Sequence, residues 1–318
     1  MVFQQKSIHK QKQPPLFILT GPTAVGKTQV AYEAALRLKG EIISCDSMQV
    51  YRGMDIGTSK PPMEYLNRVP HHLINILEPT ESFDAARYRA RALQAIERVL
   101  QRNRFPIVVG GTGLYLRVLV NGIFECPSTD PVLRQKLYQE AETAGKEVLY
   151  QRLKQVDPKS ADGIHPNDLR KVIRGLEVFY QGEQPISKLK SRRSSLKNAY
   201  QIQIVGLNRP RKILYQRIDE RVDQMFAKGL VQECQQLIKQ PLSQTAKQAL
   251  GYKEVFQHLE GKVSLGQTIQ LVKRNTRRYA KRQLTWFRHE PGIQWIEINE
   301  EDSVEKIVER VTNLCLSI

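Results

Sequence analysis

The octapeptide GPTAVGKT, Gly21 to Thr28, constrains the fold more than any other stretch of this chain. It matches G-x-x-x-x-G-K-[ST], a phosphate loop that works only between a strand and a helix. Both neighbours can be read in the sequence. Pro15 to Thr20 is a short apolar run, and Lys27 to Leu38 has helical spacing. Backbone N–H groups of such a loop form an anion nest at a helix N-terminus. Gly21, Pro22, Thr23, Ala24, Val25, Gly26, Lys27 and Thr28 are therefore the candidate phosphate-binding residues. Lys27 supplies a point charge, and Thr28 supplies a hydroxyl for phosphate or Mg²⁺.

Further apolar runs follow, alternating with helical patterns. The second run, in EIISCDS, leads to Asp46, HHLINIL is a third run, and FPIVVGGTG is a fourth. Amphipathic spacing predicts helices over about Asp84 to Asn103 and from about Thr112. Strands alternating with helices imply an α/β fold with a parallel sheet, here a P-loop NTPase-like core. Ligands of such sheets bind at the carboxyl ends of the strands, which would collect Gly21 to Thr28, Asp46 and Gly110 to Gly113. The alternation stops at CPSTDP, Cys126 to Pro131. A helical insertion is expected over residues 126–195, before QIQIVGL returns as a strand. Helices are expected at about Arg211 to Lys228, Val231 to Ile238 and Thr268 to Arg288. Residues 15–125 and 196–318 would form the core, and residues 1–14 a disordered arm.

Charge adds a partner class. Lys plus Arg is 49 against 32 acids, a net charge of +17. RKVIRGLEV, KLKSRRSSLK and KRNTRRYAKR concentrate the excess in the second half, as a polyanion-binding surface would. No apolar run reaches the roughly 20 residues of a membrane span, so no membrane partner is expected. The polar N-terminal stretch has no apolar centre and does not read as a secretory signal. Cys45, Cys126, Cys234 and Cys315 show no C-x-x-C spacing, so neither a metal cluster nor a disulfide framework is indicated. A reducing cytoplasm fits.

Individual residues leave alternatives. Asp46 can hold Mg²⁺ through water, as in phosphate-loop NTPases. The segment after it, DSMQVYRGMDIGTSKP, is rich enough in polar groups to read a base edge, or it is a solvated loop. Gly110 to Gly113 allow close backbone approach to a ligand, or mark a plain strand-to-helix turn with Thr112 as N-cap. Arg217 and Arg221, four apart beside the stripe Leu214, Ile218, Val222 and Met225, suit a diphosphate, or pair with Asp219 and Glu220. Lys273, Arg277 and Lys281 form one row of cations, and Arg274, Arg278 and Arg282 the adjacent row. Together they read as one basic helix face for tracking a phosphate backbone. Trp286 and Phe287 read as core in preference to base stacking. His71 and His72 lack partners at metal-ligand spacing.

Taken together, the motifs resemble the tRNA dimethylallyltransferases, also called tRNA isopentenyltransferases. The carriers are GPTAVGKT, DSMQVYRGMDIGTSKP, HHLI, GGTGLYL, IHPND followed by Arg174, QRIDERVDQM, LGYKE and AKRQLTWFR, in family order from residue 15 to 290. The chain lacks the Cys/His pattern of the eukaryotic members' zinc finger and is similar to the bacterial type. The resemblance implies transfer of a dimethylallyl group from its diphosphate to N6 of the adenosine 3′-adjacent to the anticodon, position 37. It implies Mg²⁺, with Thr28 as its contact, a tRNA anticodon stem-loop as partner and a monomer. The phosphate loop would then hold the donor's diphosphate together with Arg217 and Arg221. Asp46 matches the family's general base, with Lys27 and Thr28 beside it. Asp46, Ser47, Met48, Gln49, Thr112, Arg134, Arg170, Lys171, Val172, Ile173, Arg174, Arg277 and Arg278 are the expected tRNA-contacting positions.

Three rivals fit less. A small-molecule kinase leaves the charge of +17 unexplained. An adenylate isopentenyltransferase needs neither the insertion nor the basic helix. An RNA-binding protein with a dead site would not keep Lys27, Thr28 and Asp46.

Overall fold

The computed structural model describes residues 13–123, 127, 130–190 and 195–316. The expected arm over residues 1–14 falls outside these, except for Gln13 and Pro14. Cys126 and much of CPSTDP lie outside them too. The chain divides into two compact units, Met1–Val120 with Lys197–Ile318, and Asn121–Leu196.

The first unit is built on six parallel strands: β1 (Pro15–Thr20), β2 (Gly40–Ser44), β3 (His71–His72), β4 (Phe105–Gly110), β5 (Gln201–Asn208) and β6 (Ile293–Glu297). Their order is β3-β2-β4-β1-β5-β6. β1 is central and buried from Leu16 to Thr20, which is why its sequence is continuously apolar with no alternation. Register fixes where the loops emerge. Thr20 lies level with Gly110 of β4 and Gly206 of β5, and Ser44 of β2 with Val109. The residues after Thr20, Ser44 and Gly110 therefore leave the sheet at one edge.

Helices cover the sheet. α1 (Lys27–Leu38) starts directly after Gly26, whose φ of 113° suits only glycine comfortably. α2 (Met63–Arg68), α3 (Ala85–Gln101) and α4 (Gly113–Asn121) follow, and the Asp84 carboxylate accepts the Arg87 N–H to cap α3. The second unit contains α5 (Pro131–Thr143), α6 (Lys146–Val156), α7 (Pro158–Ala161), α8 (Leu169–Gly182) and α9 (Ile186–Lys190), with no strand among its described residues. Back in the first unit come α10 (Arg211–Ala227), α11 (Leu230–Leu237), α12 (Gln244–Lys247), α13 (Tyr252–Leu259), α14 (Leu265–Arg288) and α15 (Val304–Cys315). Phe17, Leu19, Val30, Ile107, Leu207, Ile218, Ala280, Val308 and Val311 belong to one buried cluster that joins the sheet to α1, α10, α14 and α15.

Two expectations fail locally. HHLINIL is a strand only at His71–His72, because Leu73 and Asn75 take φ of 64° and 55°, which turns the chain out of the sheet. β2 ends at Ser44, two residues before Asp46. β6, α2, α12, α13 and α15 are elements that the sequence patterns did not announce.

Candidate active site

A cavity of about 760 Å³ opens at the sheet edge where those loops emerge. Thr23, Ala24, Gly26, Lys27 and Thr28 line one wall, and Asp46, Gly110 and Gly111 another. Arg217 and Arg221 reach in from α10, and Tyr279 and Gln283 from α14. Ile42, Leu66, Ile74, Val109 and Met225 supply apolar surface to the same space.

Both arginines of α10 reach the phosphate loop. Arg217 Nε donates to the Ala24 carbonyl at 3.0 Å, and an Arg221 guanidinium N–H donates to Thr23 Oγ1 at 3.3 Å. Their alternative partner Asp219 is instead ion-paired with Arg277. Lys27 Nζ donates to the carbonyls of Gly21 and Pro22, at 2.9 and 2.7 Å. Burial, followed by repulsion from Arg221, pushes the Lys27 ammonium down to about 7, against the pull of Asp46. Burial also lowers Arg221, to about 10, with Asp46 opposing. Lys27, Arg221 and Asp46 thus lie within electrostatic range of one another, and two cations face the cavity beside one carboxylate.

Asp46 is held by its own loop. Its Oδ1 accepts the N–H groups of Met48 and Gln49, at 2.8 and 3.2 Å. This Asx-turn fixes one carboxylate oxygen of a residue that lines the cavity. The Thr112 hydroxyl accepts the Ser47 N–H at 3.2 Å, so it ties the Asp46 loop to the β4–α4 turn. Gly110 is required there, because a Cβ would lie 2.0 Å from the Cys45 carbonyl oxygen. Gln49 is committed internally. It accepts from Ser44 Oγ at 3.1 Å and donates to the carbonyls of Thr58 and Ser59, each at 3.4 Å. Its amide shapes the cavity wall and is not presented as an open base-reading group.

Gln283 escaped the sequence reading. It is buried on α14, accepts the Thr23 N–H at 2.8 Å and donates to the Gly111 carbonyl at 2.8 Å. One amide therefore clamps the phosphate loop to the β4–α4 turn. The available signal was a lone glutamine inside AKRQLTWFR, where attention falls on the cations.

The expected single basic face of α14 is corrected. Lys273 pairs with Asp223 at 2.7 Å and Arg277 with Asp219, both on α10. Lys273 and Arg277 are thus turned to the neighbouring helix while Lys281 of the same row is not, which sequence spacing cannot reveal. Arg274, Arg278, Lys281 and Arg282 are exposed. Arg278, Lys281 and Arg282 line a second cavity of about 550 Å³ with Arg117, Trp286 and His289. The Arg117 guanidinium stacks over Trp286 at 4.1 Å and pairs with Glu290.

In the helical unit, Arg170 and Lys171 are exposed, but Val172 and Ile173 are buried among Leu137, Leu149, Leu153 and Leu176. Their side chains are core, a correction to their expected role in contacting RNA. Arg134 and Arg174 both pair with Glu177 at 2.7 Å. Burial pushes the Glu177 carboxyl up, but bonds from Arg174 and Arg134 and the Asp130 N–H prevail and hold it below the usual carboxylate range.

Among the described residues no three His, Cys, Asp or Glu side chains converge to hold a metal. No helix among them is long and apolar enough to cross a membrane.

Known proteins resemble this chain along nearly its whole length. The family model described as IPP transferase matches residues 49–290. The tRNA dimethylallyltransferase of Carboxydothermus hydrogenoformans is 48% identical over 298 residues, covering 93% of this chain and 96% of the relative. That of Desulforudis audaxviator is 47% identical over 289 residues, 90% and 93% of the two chains. Among solved structures, the full-length tRNA isopentenylpyrophosphate transferase of Bacillus halodurans gives a TM-score of 0.69 at 40% identity, over 96% of this chain and 98% of that one. A eukaryotic dimethylallyltransferase crystallised acting on tRNA gives 0.77 at 31% identity, over 90% and 74%. With this sequence identity along nearly its whole length and the same fold, the chain belongs to the tRNA dimethylallyltransferase family, the IPP transferases.

Proposed function

We propose that the chain carries out its family's transfer by moving a dimethylallyl group from dimethylallyl diphosphate to N6 of the adenosine 3′-adjacent to the anticodon of tRNA. The carrying observation is that the phosphate loop, Arg217, Arg221 and Asp46 meet in one cavity that also has apolar surface. A prenyl diphosphate needs that mixture: cations for its head and hydrocarbon for its tail.

In this reading the C1–O bond of the donor breaks as N6 of adenine forms a bond to C1. Diphosphate leaves with the bonding electrons, and its growing charge meets loop N–H groups, Lys27, Arg217 and Arg221. The adenine amine is a weak nucleophile because its lone pair is delocalised into the ring. It must lose a proton as it attacks, and Asp46 accepts that proton. The target base must leave the anticodon stack to reach the cavity. Thr28, exposed at the start of α1, offers a hard oxygen donor suited to Mg²⁺. With no protein cluster able to hold the ion by itself among the described residues, the donor's own phosphate oxygens would complete its coordination. When bound, the ion neutralises developing diphosphate charge. The expectation of a cytoplasmic monomer belongs to the same proposal. Cys45, Cys234 and Cys315 are buried free thiols, which suits a reducing compartment.

The decisive experiment is mass spectrometry of tRNA after incubation with dimethylallyl diphosphate and Mg²⁺. A mass gain of one dimethylallyl group on the predicted adenosine is expected, with ATP neither required nor hydrolysed. Inorganic diphosphate with Mg²⁺ should also protect the fold, by about 2.7 kcal/mol at a hundred times its Kd. ATP hydrolysis coupled to turnover would contradict the assignment.

For tRNA, the exposed cluster Arg278, Lys281 and Arg282 is the proposed backbone track. Removing Arg278 and Arg282 together should flatten the log Kd against log salt plot, by about 0.7–0.9 unit for each phosphate no longer neutralised. Arg277→Ala should lower the melting temperature and leave that slope nearly unchanged, because Asp219 already neutralises Arg277. Equal slopes for wild type and both variants would refute the division of the helix's cations into an acid-paired set and an exposed set.

A further inference from the structure

The turn Asp55 to Lys60 lines the donor cavity yet contains neither helix nor strand. Two backbone bonds, Ser59 N–H to the Ile56 carbonyl at 3.0 Å and Lys60 N–H to the Asp55 carbonyl at 3.1 Å, close the turn on itself, and side chains anchor it to the rest of the unit. On the cavity side, Arg221 Nε donates to Ser59 Oγ at 2.7 Å. On the far side sits Glu233 of α11. Its Oε2 accepts the N–H groups of Asp55 and Ile56, at 2.9 and 2.8 Å. Its Oε1 accepts those of Ile56 and Gly57, each at 3.2 Å, and the Tyr252 hydroxyl at 2.6 Å. Three consecutive backbone amides around one anion form a nest, occupied here by the chain's own carboxylate. Tyr252 of α13 is fully buried and closes the back of the turn, so that a Cβ on Gly57 would fall 2.4 Å from its ring.

The grip has a consequence at the phosphate loop. The guanidinium that holds Ser59 also donates to Thr23 Oγ1 at 3.3 Å. Arg221 is thus a strut between the turn and the loop. A long arginine side chain keeps one rotamer only if its anchor stays still.

We propose that Glu233 is a positioning residue of the donor site. By fixing the Asp55–Gly57 amides it sets the place of Ser59, which in turn sets the Arg221 guanidinium over the phosphate loop. Glu233 touches neither donor nor reacting atoms. The inference rests on the reading that this cavity holds the donor's diphosphate.

The chemistry demands a carboxylate. Five hydrogen bonds converge on two oxygens, and an ionised carboxylate is acceptor-only. In Glu233→Gln, either orientation of the amide sets an NH₂ group against at least two backbone N–H donors.

The test compares wild type with Glu233→Gln, Tyr252→Phe, Arg221→Ala and the double variant Glu233→Gln/Arg221→Ala. Kd is measured for inorganic diphosphate with Mg²⁺ and for an anticodon stem-loop RNA, at a temperature where melting curves show each protein folded. Glu233→Gln should weaken diphosphate binding about tenfold, the scale of one charge-assisted hydrogen bond. It should change stem-loop affinity less than about twofold, within the range of independent sites. Tyr252→Phe removes one bond of the five and should give a smaller loss of the same sign. In the Arg221→Ala background the Glu233→Gln loss should shrink below about twofold, because its effect runs through Arg221. A fully additive double variant, or a folded Glu233→Gln protein that binds diphosphate like wild type, overturns the proposal. If Glu233→Gln does not fold, the same cycle with Tyr252→Phe decides on the same criteria. A wild-type protein that binds no diphosphate refutes the cavity's assignment itself, which is a separate failure.

Discussion

Replacing Asp46 by asparagine should slow single-turnover prenyl transfer by about a hundred- to ten-thousand-fold, the usual contribution of a positioned general base. Asparagine is the better test because of the Asx-turn. Its side-chain oxygen can still accept the Met48 and Gln49 N–H groups, so the loop geometry survives while the proton acceptor is removed. Alanine would remove both and confuse the two effects. Affinity for the anticodon stem-loop should barely change, since Ser47 stays tied to Thr112. The measurement requires both substrates at saturation and rapid quenching. A loss of less than about tenfold would leave Asp46 with only a metal-holding or structural role.

The next largest effect belongs to Lys27. Lys27→Met should cost about a hundredfold or more in rate, as expected for a preorganised charge at a leaving group. A pH signature should accompany it. Burial and Arg221 hold the amine at about 7 against an ordinary value of 10.5. Diphosphate placed beside it favours the ammonium form, so above about pH 7 binding takes up a proton. Affinity should then fall as pH rises, by at most about tenfold per pH unit. Diphosphate has its own titration, and subtracting the Lys27→Met curve removes it. Titration calorimetry in two buffers of different ionisation enthalpy reads the proton uptake directly. Equal proton uptake in wild type and Lys27→Met would exclude the lysine as its source. Linkage gives the opposite sign for folding. Between about pH 7 and 10.5 the unfolded chain binds more protons at Lys27, so this residue's burden on stability lightens as pH rises.

Local patterns in the sequence were enough for the central architecture. The phosphate loop requires a strand before it and a helix after it, and β1 and α1 span Pro15–Thr20 and Lys27–Leu38 as those patterns indicate. Buried parallel strands are continuously apolar, as in β4, and β5 announces itself by the apolar residues Ile202, Ile204, Val205 and Leu207, buried from Ile204 to Leu207. Edge strands do not. β3 shrinks to two residues where Leu73 and Asn75 adopt positive φ, and β6 mixes buried with exposed positions, which leaves its pattern weak.

The chemistry divides along the same line. Residues whose role follows from their own chemistry and local motif were legible: Lys27, Thr28, Asp46, and the diphosphate-suited spacing of Arg217 and Arg221. The network that holds them was not, because each of its contacts spans a long stretch of chain. Gln283 meets Thr23 across 260 residues, and Glu233 meets the Asp55–Gly57 amides across more than 170. Nothing near either residue in the chain marks it. Spacing also puts Arg277 and Arg278 on adjacent rows of one helix. Only the packing of α10 against α14 gives Arg277 an acidic partner and leaves Arg278 exposed. A sequence carries its local periodicities openly. Which charge ends up neutralised depends on the neighbour that folding brings alongside it, and that is a property of the tertiary structure.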